Sequence, residues 1–297
     1  MQPSVLPPLE PASGLDASVS AALSAVRSAG TPSPDVLVFA ATGLGGLLEQ
    51  LEAGVKLDLD DVDGTPATYQ GAALYAGTLS SPDVEGDGAA WLIEDAPHLD
   101  RQGAAWSRAF PVWLAAAAGA SFLIHLSAGS TLDPEAHTLG SIVRSTDHIN
   151  LSGTTPLLGL GKSRFGPLFP DQTRLHDAHL GDAAARLGEG LDIPLTAGIA
   201  ACATGPALPT PAELRSYRLA GASVAVQRLS DPLIAAAHAG LGAIALTAIT
   251  SGSTGPTTIS DLVLRSSEIA PSLDALVAGL VAASAPLAQA RREEATA

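Results

Sequence analysis

The chain has 297 residues, of which 46% are hydrophobic and 15% charged, and its formal net charge is −15. No linker-like seam interrupts the apolar residues, so we expect one α/β domain over residues 1–297 rather than two smaller domains. The negative charge argues against a nucleic-acid or anionic-membrane partner, because the overall field would repel phosphate groups. Any phosphate site must therefore be local.

The single cysteine, Cys202, excludes an intramolecular disulfide and favours a reducing compartment. Residues 1–11 are proline-rich and predict a loose arm, without the basic segment and apolar run of a signal peptide. Alanine-rich stretches elsewhere are interrupted by glycine, proline or charge, so no membrane span is expected. These features together predict a cytoplasmic protein.

The first elements alternate between helix and strand. Apolar residues at helical spacing predict a helix over 17–28, and the continuous apolar run 35–41 predicts a buried strand. A glycine-rich turn at 42–46 then leads into a helix from Leu47. Such a turn can bind an anion through free helix N–H groups. Its spacing does not match the dinucleotide fingerprint, however, and on spacing alone a plain strand-to-helix connection is favoured over a phosphate site.

The region after this helix indicates a mixed or antiparallel section of sheet. The acidic stretch 58–64 predicts a solvated turn, because Val62 stands where a calcium loop needs an oxygen ligand. Strands are expected over 68–79 and 91–94, separated by a turn at 81–83 and a loop at 85–88. A buried helix over 110–119 and a strand over 121–125 should follow.

Ile142 and Val143 predict a short buried strand that ends in a polar turn over 147–150, fixed by side-chain hydrogen bonds. Residues 260–290 predict one or two amphipathic helices, and 291–294 a solvated charged tail. This alternation is typical of α/β architecture. Further strands are expected over 195–203, 221–226 and 242–249, with helices from Thr210 and over 232–239.

Three landmarks follow one another in a distinctive order: Gly43 to Gly46, the segment Asp147-His-Ile-Asn-Leu151, and Gly205-Pro206 followed by Ala212-Glu-Leu-Arg215. This order resembles the trimeric class of purine nucleoside phosphorylases, from about residue 36 to about residue 251. The resemblance implies an α/β fold with a mixed central β-sheet, partly barrel-like, flanked by helices. It also implies cleavage of the N-glycosidic bond of purine nucleosides by phosphate as co-substrate, giving free base and pentose 1-phosphate without another cofactor.

The resemblance also implies a phosphate site. Thr42 falls where the family has a serine in its glycine-rich turn, and His98 falls on the histidine of a Gly-Arg-x-His motif whose arginine is Ala96 here. Ala128 would offer a backbone N–H. We hypothesise that Arg228, at the position of a second serine, restores the missing cation. The alternative is that Arg228 faces an acidic neighbour or solvent.

The base and ribose contacts follow from the same resemblance. Ser251 falls where the family contacts the leaving base, which with His98 makes the predicted catalytic pair. Leu208 and Pro209 replace an aromatic and a glutamate, so Leu208 can pack on a base but Pro209 offers neither carboxylate nor N–H. Gln227 falls where a ribose-contacting methionine normally lies. Ser127, at the end of a predicted strand, completes the predicted substrate site.

Phe169 matches an aromatic that family members insert into a neighbouring subunit, which implies a homotrimer; an ordinary core phenylalanine is the alternative. The histidines at 125, 137 and 176 show no metal-ligand spacing, and His148 is interpreted as a structural hydrogen-bonding residue, so no metal site is predicted. Two functions remain open: phosphorolysis, weak or altered by the replaced contacts, and a catalytically inactive trimeric scaffold or ligand-binding protein of the same fold.

Overall fold

The computed structural model describes residues 14–40, 45–94, 103–252 and 258–296. Within them the chain forms one sheet of nine strands with seven α-helices packed around it. The strands are β1 (Val36–Ala40), β2 (Glu52–Asp58), β3 (Ala73–Ser81), β4 (Val84–Glu94), β5 (Phe122–Thr131), β6 (Ile142–Asn150), β7 (Leu195–Ala203), β8 (Val224–Gln227) and β9 (Gly242–Ser251). The helices are α1 (Gly14–Ser28), α2 (Gly45–Gln50), α3 (Phe110–Ala118), α4 (Ala178–Gly190), α5 (Pro211–Leu219), α6 (Ser230–Ala239) and α7 (Ile259–Thr296).

The sheet is closed along half of its width. Its strand order is β2-β3-β4-β1-β5-β8-β7-β6-β9, and β9 pairs again with β5. Strands β5, β8, β7, β6 and β9 therefore form a barrel, while β1 to β4 extend from it as an open, twisted section. Parallel and antiparallel pairs both occur. The predicted mixed, partly barrel-like α/β sheet is confirmed.

Both faces of the open section are covered, as β1 illustrates. Leu37 and Phe39 pack into the core that contains α1, α3 and α6, whereas Val36 and Val38 pack into the core that contains α4 and α7. Because successive side chains of a strand point to opposite faces, a strand buried on both sides must be apolar throughout. This explains the uninterrupted apolar run from Val36 to Ala40.

Helix α7 is one continuous element of 38 residues, although Pro271 and Pro286 lie within it. The sequence pattern predicted either one or two helices in this region. By length and composition alone the stretch Ile259–Glu294 could span a membrane, but 56% of its most apolar window is buried inside the protein. Leu276, Leu280 and Val281 are fully buried against the sheet. The apolar character of α7 is thus explained by packing.

Several predicted boundaries agree closely with the structure. Strand β7 spans 195–203 as expected. Helix α5 begins after Thr210, whose hydroxyl accepts a hydrogen bond from the Glu213 N–H at 3.2 Å while the Glu213 carboxylate accepts one from the Thr210 N–H at 2.7 Å. This reciprocal pair satisfies two backbone donors at the helix start. The residues at the helix start were therefore sufficient to predict where α5 begins.

The predicted polar turn over 147–150 is wrong. Strand β6 continues to Asn150, because it pairs with β7 along its whole length, with a bulge at Thr146. The loop held by side-chain hydrogen bonds begins only at the end of this strand. There, the Asn150 amide accepts from the Ser152 N–H at 3.0 Å and donates to the Thr154 carbonyl at 3.0 Å.

Two predictions for the β3–β4 hairpin are also wrong. Residues 67–69 form a short 3₁₀ turn rather than the start of a strand, since Tyr69 is buried with its hydroxyl donating to the Arg108 carbonyl at 2.8 Å. Residues 85–88 belong to β4 rather than to a loop. A Cβ on Gly88 would collide with the backbone carbonyl of Val281, so this glycine permits close packing of α7.

The prediction of a solvated tail at 291–294 is wrong for its arginines. Helix α7 runs through them, and the Arg291 guanidinium lies 4.9 Å above the Phe122 ring while donating to the Ser121 carbonyl at 3.0 Å. Arg292 forms an ion pair with Asp35 at 2.9 Å. The end of α7 is therefore attached to the sheet beside β1 and β5.

Candidate functional site

A cavity of about 260 Å³ opens where three barrel strands end. Strand β5 contributes its last half, because it pairs with β9 on one side and with β8 on the other. A loop before α5 and the first part of α7 complete the wall. The cavity is lined by Ser127, Ala128, Gly129, Ser130, Pro206, Leu208, Pro209, Ala225, Gln227, Arg228, Thr250, Ser251 and Leu262.

The floor of the cavity depends on a close approach of backbones at Gly129. A Cβ at this position would lie 2.7 Å from the Ala225 carbonyl oxygen and 2.7 Å from a methyl group of Thr247. Real Cβ atoms do not approach other atoms so closely, and the obstacle on one side is backbone that cannot rotate away. Glycine at 129 therefore allows β8 and β9 to flank β5 tightly.

Hydroxyl groups face one another across β5 and β9. The Ser130 and Ser251 hydroxyls are 2.6 Å apart, and those of Ser127 and Thr247 are 3.1 Å apart. Ser251 is only 6% exposed. Each hydroxyl can donate one hydrogen bond and accept others, so Ser251 keeps capacity for a ligand while bonded to Ser130.

Arg228 lies at the end of β8, half-buried in the cavity wall. Its backbone is in the left-handed region, with φ of 62°, and its N–H donates to the Ala203 carbonyl at 2.8 Å. A non-glycine residue in this conformation is strained and is held by its surroundings. The chain thus leaves β8 at Arg228 and continues into α6, with Arg228 in the wall of the cavity.

His125 lies deep in β5, 1% exposed and stacked on Phe39 with ring centroids 5.6 Å apart. Burial, and then the nearby charge of Arg228, lower the pKa of His125 to about 3. The imidazole is therefore neutral at physiological pH, and the guanidinium of Arg228 lies close to the barrel interior. The sequence indicated no role for His125, because only the register of β5 with β1 and β9 places it there.

The loop before α5 covers one side of the cavity. The Gln227 side chain donates to the Ala207 carbonyl at 2.8 Å, and Gly205 packs directly against the same side chain with φ of 72°. Leu208, 49% exposed, projects from this loop at the cavity wall. Gln227 was predicted to contact substrate, and in the structure its amide nitrogen holds the loop that carries Leu208.

Seven of the nine predicted site residues lie in the described parts of the chain, and six of them line this one cavity: Ser127, Ala128, Leu208, Gln227, Arg228 and Ser251. Thr42 and His98 fall on residues outside the described ranges, as does Ala96. Phe169 does not line the cavity and is 88% exposed, so the alternative of a core phenylalanine is wrong. Sequence reasoning gave no site role to six other lining residues, because the packing of strands, loop and α7 around β5 leaves no local signal: Gly129, Ser130, Pro206, Ala225, Thr250 and Leu262.

Comparisons with known proteins agree with this architecture. The family model of the phosphorylase superfamily matches residues 35–282. Purine nucleoside phosphorylase 1 of Bacillus subtilis is 30% identical over 226 residues, covering 75% of this chain and 81% of that protein. The purine nucleoside phosphorylase of Bos taurus is also 30% identical over 226 residues, covering 73% of this chain and 76% of the relative.

Among solved structures, isoform 2 of purine nucleoside phosphorylase from Schistosoma mansoni superposes with a TM-score of 0.80 at 20% sequence identity. The superposition covers 92% of this chain and 98% of that one. The shared fold thus includes the closed barrel, the open section of the sheet and the surrounding helices. Because the family model spans most of the chain and the sequence relatives agree with it, this chain belongs to the purine nucleoside phosphorylase family of the phosphorylase superfamily.

Proposed function

We propose that this protein catalyses the phosphorolysis of purine nucleosides. The observation that supports it most is that one cavity of about 260 Å³ gathers Ala128 of β5, Arg228 directly after β8 and Ser251 of β9. Pockets for small molecules in proteins measure about 300–1,000 Å³, and this cavity is slightly smaller than that range. Its lining combines a cation and hydroxyl groups, which suit an anion, with the apolar side chains of Leu208 and Leu262, which suit a flat base.

The reaction joins a phosphate oxygen to C1′ of the pentose as the bond from C1′ to the base nitrogen breaks. The electron pair of that bond leaves with the base, which takes up one proton as phosphate loses one. The transition state carries positive charge on the sugar and negative charge on the phosphate and the departing base. Groups that hold these anions more tightly in the transition state than in the ground state accelerate the reaction.

In this proposal Arg228 supplies the positive charge for phosphate, together with the Ala128 N–H and the side chains of Thr42 and His98. Its half-buried position at the cavity wall supports the assignment. A guanidinium away from bulk water interacts more strongly with an anion than an exposed one does. The net charge of −15 makes such a local cation necessary, because the remainder of the protein repels phosphate.

The base would lie between Leu208 and Ser251, with the Ser251 hydroxyl contacting the leaving base nitrogen and Gln227 and Ser127 near the ribose. The structures of Schistosoma mansoni purine nucleoside phosphorylase in complex with hypoxanthine and with inosine support a purine substrate. A serine hydroxyl and Pro209 offer weaker polar contacts than a carboxylate or an amide. We therefore propose a turnover that is slow for the reaction class.

The proposal includes a homotrimer in the cytosol. An 88% exposed phenylalanine is unfavourable in water, and insertion of Phe169 into a neighbouring subunit would remove it from solvent. The single cysteine, Cys202, is buried and free, in accord with a reducing compartment. Both the assembly and the location belong to the proposal.

The test is the release of hypoxanthine from inosine, with and without inorganic phosphate, compared with guanosine, adenosine and methylthioadenosine. We expect release only with phosphate. Arg228→Ala should lower kcat/KM for phosphate by roughly a hundredfold, as expected for loss of a charged contact worth about 2–3 kcal/mol. Arg186→Ala, which removes an exposed arginine from α4, is the matched control and should retain full activity.

Two outcomes would contradict the proposal. If no nucleoside reacts at high protein concentration, the protein is an inactive scaffold or ligand-binding member of the fold. If the base is released equally without phosphate, the protein is a hydrolase. If the Arg228 and Arg186 variants have equal kinetics, Arg228 does not bind phosphate, but the proposal of phosphorolysis still stands.

A further inference from the structure

Two histidines and an aspartate meet at a point that the proposed reaction does not use. Asp147 and His148 lie on β6, and His176 lies immediately before α4. A donor atom from each of the three lies within 4.8 Å of the others. None of the three lines the candidate cavity. The two histidines are 28 residues apart in sequence, so spacing gave no sign of this cluster.

The backbone fixes both histidines in place. His148 pairs with Ala200 in the ladder of β6 and β7. His176 pairs with Ala243 of β9: the Asp177 N–H donates to the Ala243 carbonyl at 2.9 Å, and the Ala243 N–H donates to the Leu175 carbonyl at 2.8 Å. Side chains carried by paired strands hold their geometry better than side chains carried by free loops.

A bulge in β6 lies directly before the residue that carries the carboxylate. The register with β7 shifts between Ser145 and Asp147, so Thr146 is the extra residue. Bulges redirect the side chains that follow them and often occur beside functional sites. The Asp147 carboxylate accepts the His148 N–H at 2.7 Å, which keeps it next to the two imidazoles.

The spacing of the two ring nitrogens fits a metal ion. His148 Nδ1 and His176 Nε2 are 3.1 Å apart and share a hydrogen bond, whose proton a bound metal would displace. Two nitrogens bound tetrahedrally to zinc at about 2.0–2.1 Å would be about 3.3 Å apart, so their separation changes little while the rings turn both lone pairs toward the ion. A carboxylate oxygen of Asp147 lies within 4.8 Å of both nitrogens, and its exposed position leaves it room to approach an ion.

We propose that Asp147, His148 and His176 form a binding site for a divalent transition-metal cation, with zinc as its representative. Two imidazoles and one carboxylate are a common zinc ligand set that leaves a fourth position for water. The bound ion would join β6 to the segment 151–177, which connects β6 to α4 and carries His176 near its end. Its effect is to stabilise that segment, independently of the reaction in the candidate cavity.

The experiment titrates the metal-free full-length protein with zinc chloride by calorimetry, at pH 7.5, and follows the thermal midpoint in parallel. We expect one zinc ion per chain and a midpoint that rises with zinc concentration, because the folded state alone holds the three ligands together. Magnesium chloride should have no effect, since magnesium prefers oxygen ligands. Zinc X-ray absorption should show two imidazole ligands.

His148→Ala and His176→Ala should each weaken zinc binding at least tenfold. His179→Ala, which removes an exposed histidine three residues from His176, is the matched control and should bind as the wild type does. Should an alanine variant fail to fold, Asp147→Asn at an exposed position still tests the site and should bind zinc more weakly. Absence of zinc binding by the wild type, or equal binding by all variants, would show a purely structural histidine pair and overturn the proposal.

Discussion

The Ser251 hydroxyl lies 2.6 Å from the Ser130 hydroxyl, and this one hydrogen bond joins the ends of β9 and β5 beside the candidate cavity. Both side chains are at least nine-tenths buried. A hydroxyl that loses its only buried partner costs more than the bond itself contributes, because it is left without water as well. The pair therefore connects the stability of the barrel to the geometry of the site.

We expect Ser251→Ala to lower the free energy of unfolding by about 1–2 kcal/mol, since Ser130 is left unsatisfied. The double variant with Ser130→Ala should lose less than the sum of the two single changes. Urea unfolding of the four proteins measures this coupling. In the assay with inosine and phosphate, Ser251→Ala should reduce kcat about tenfold and Ser130→Ala less. Strict additivity of the stability changes would show that the two hydroxyls do not interact.

Gly129→Ala should lower the free energy of unfolding by about 1–3 kcal/mol, because the new methyl group has no space between β8 and β9. Gly190→Ala is the matched control. A Cβ at Gly190, at the end of α4, would meet no atom within 4 Å, and alanine is the better helix former. Thermal unfolding should therefore show a clear loss for the first variant and none for the second. Equal midpoints would disprove the close approach at Gly129.

The buried His125 makes stability fall in acid. Its pKa is about 3 in the folded protein and about 6.5 in the unfolded chain, so the unfolded chain takes up the proton first as pH falls. The stabilisation is complete above about pH 6.5 and is lost progressively below it. At pH 5 the loss should reach about 2 kcal/mol from this residue alone.

His125→Gln does not titrate, so its free energy of unfolding should decline less between pH 7 and pH 5 than that of the wild type. His179→Gln, at an exposed position, should decline as the wild type does. Asp274 acts in the opposite direction, because burial and then Glu49 raise its pKa to about 6, but it is common to all three proteins and cancels. Denaturant titrations at the two pH values measure the difference. Parallel declines in all three would refute the role of His125.

If the proposed trimer forms by insertion of the exposed Phe169 ring into a neighbouring subunit, Phe169→Ala should shift the assembly toward monomer. Leu219→Ala is the control, because Leu219 on α5 is 89% exposed and has no assigned partner surface. Sedimentation velocity at several concentrations distinguishes the two variants. The proposal for Phe169 fails if the wild type is a monomer or if both variants assemble as the wild type does.

Local physical chemistry was sufficient for much of the fold. The run from Val36 to Ala40, the capping pair of Thr210 and Glu213 and the strand over 195–203 were predictable, because their apolar patterns and caps are encoded by adjacent residues. Where the prediction failed, the conformation depends on residues far away in the sequence. Residues 85–88 belong to a strand, and Gly88 leaves room for the backbone of Val281 to pack against it. Residues 147–150 extend β6 because β7 pairs with them.

The sequence by itself determined the family and the set of residues from which a nucleoside site could be built. The family is recognised from the order of a few short motifs, and that order is independent of how the chain folds. Only the tertiary structure decided that Ala128, Arg228 and Ser251 line one cavity, that His125 lies buried near that guanidinium, and that His148 meets His176. These neighbours are set by barrel closure and strand register. A one-residue slip in register would turn each of these side chains to the opposite face.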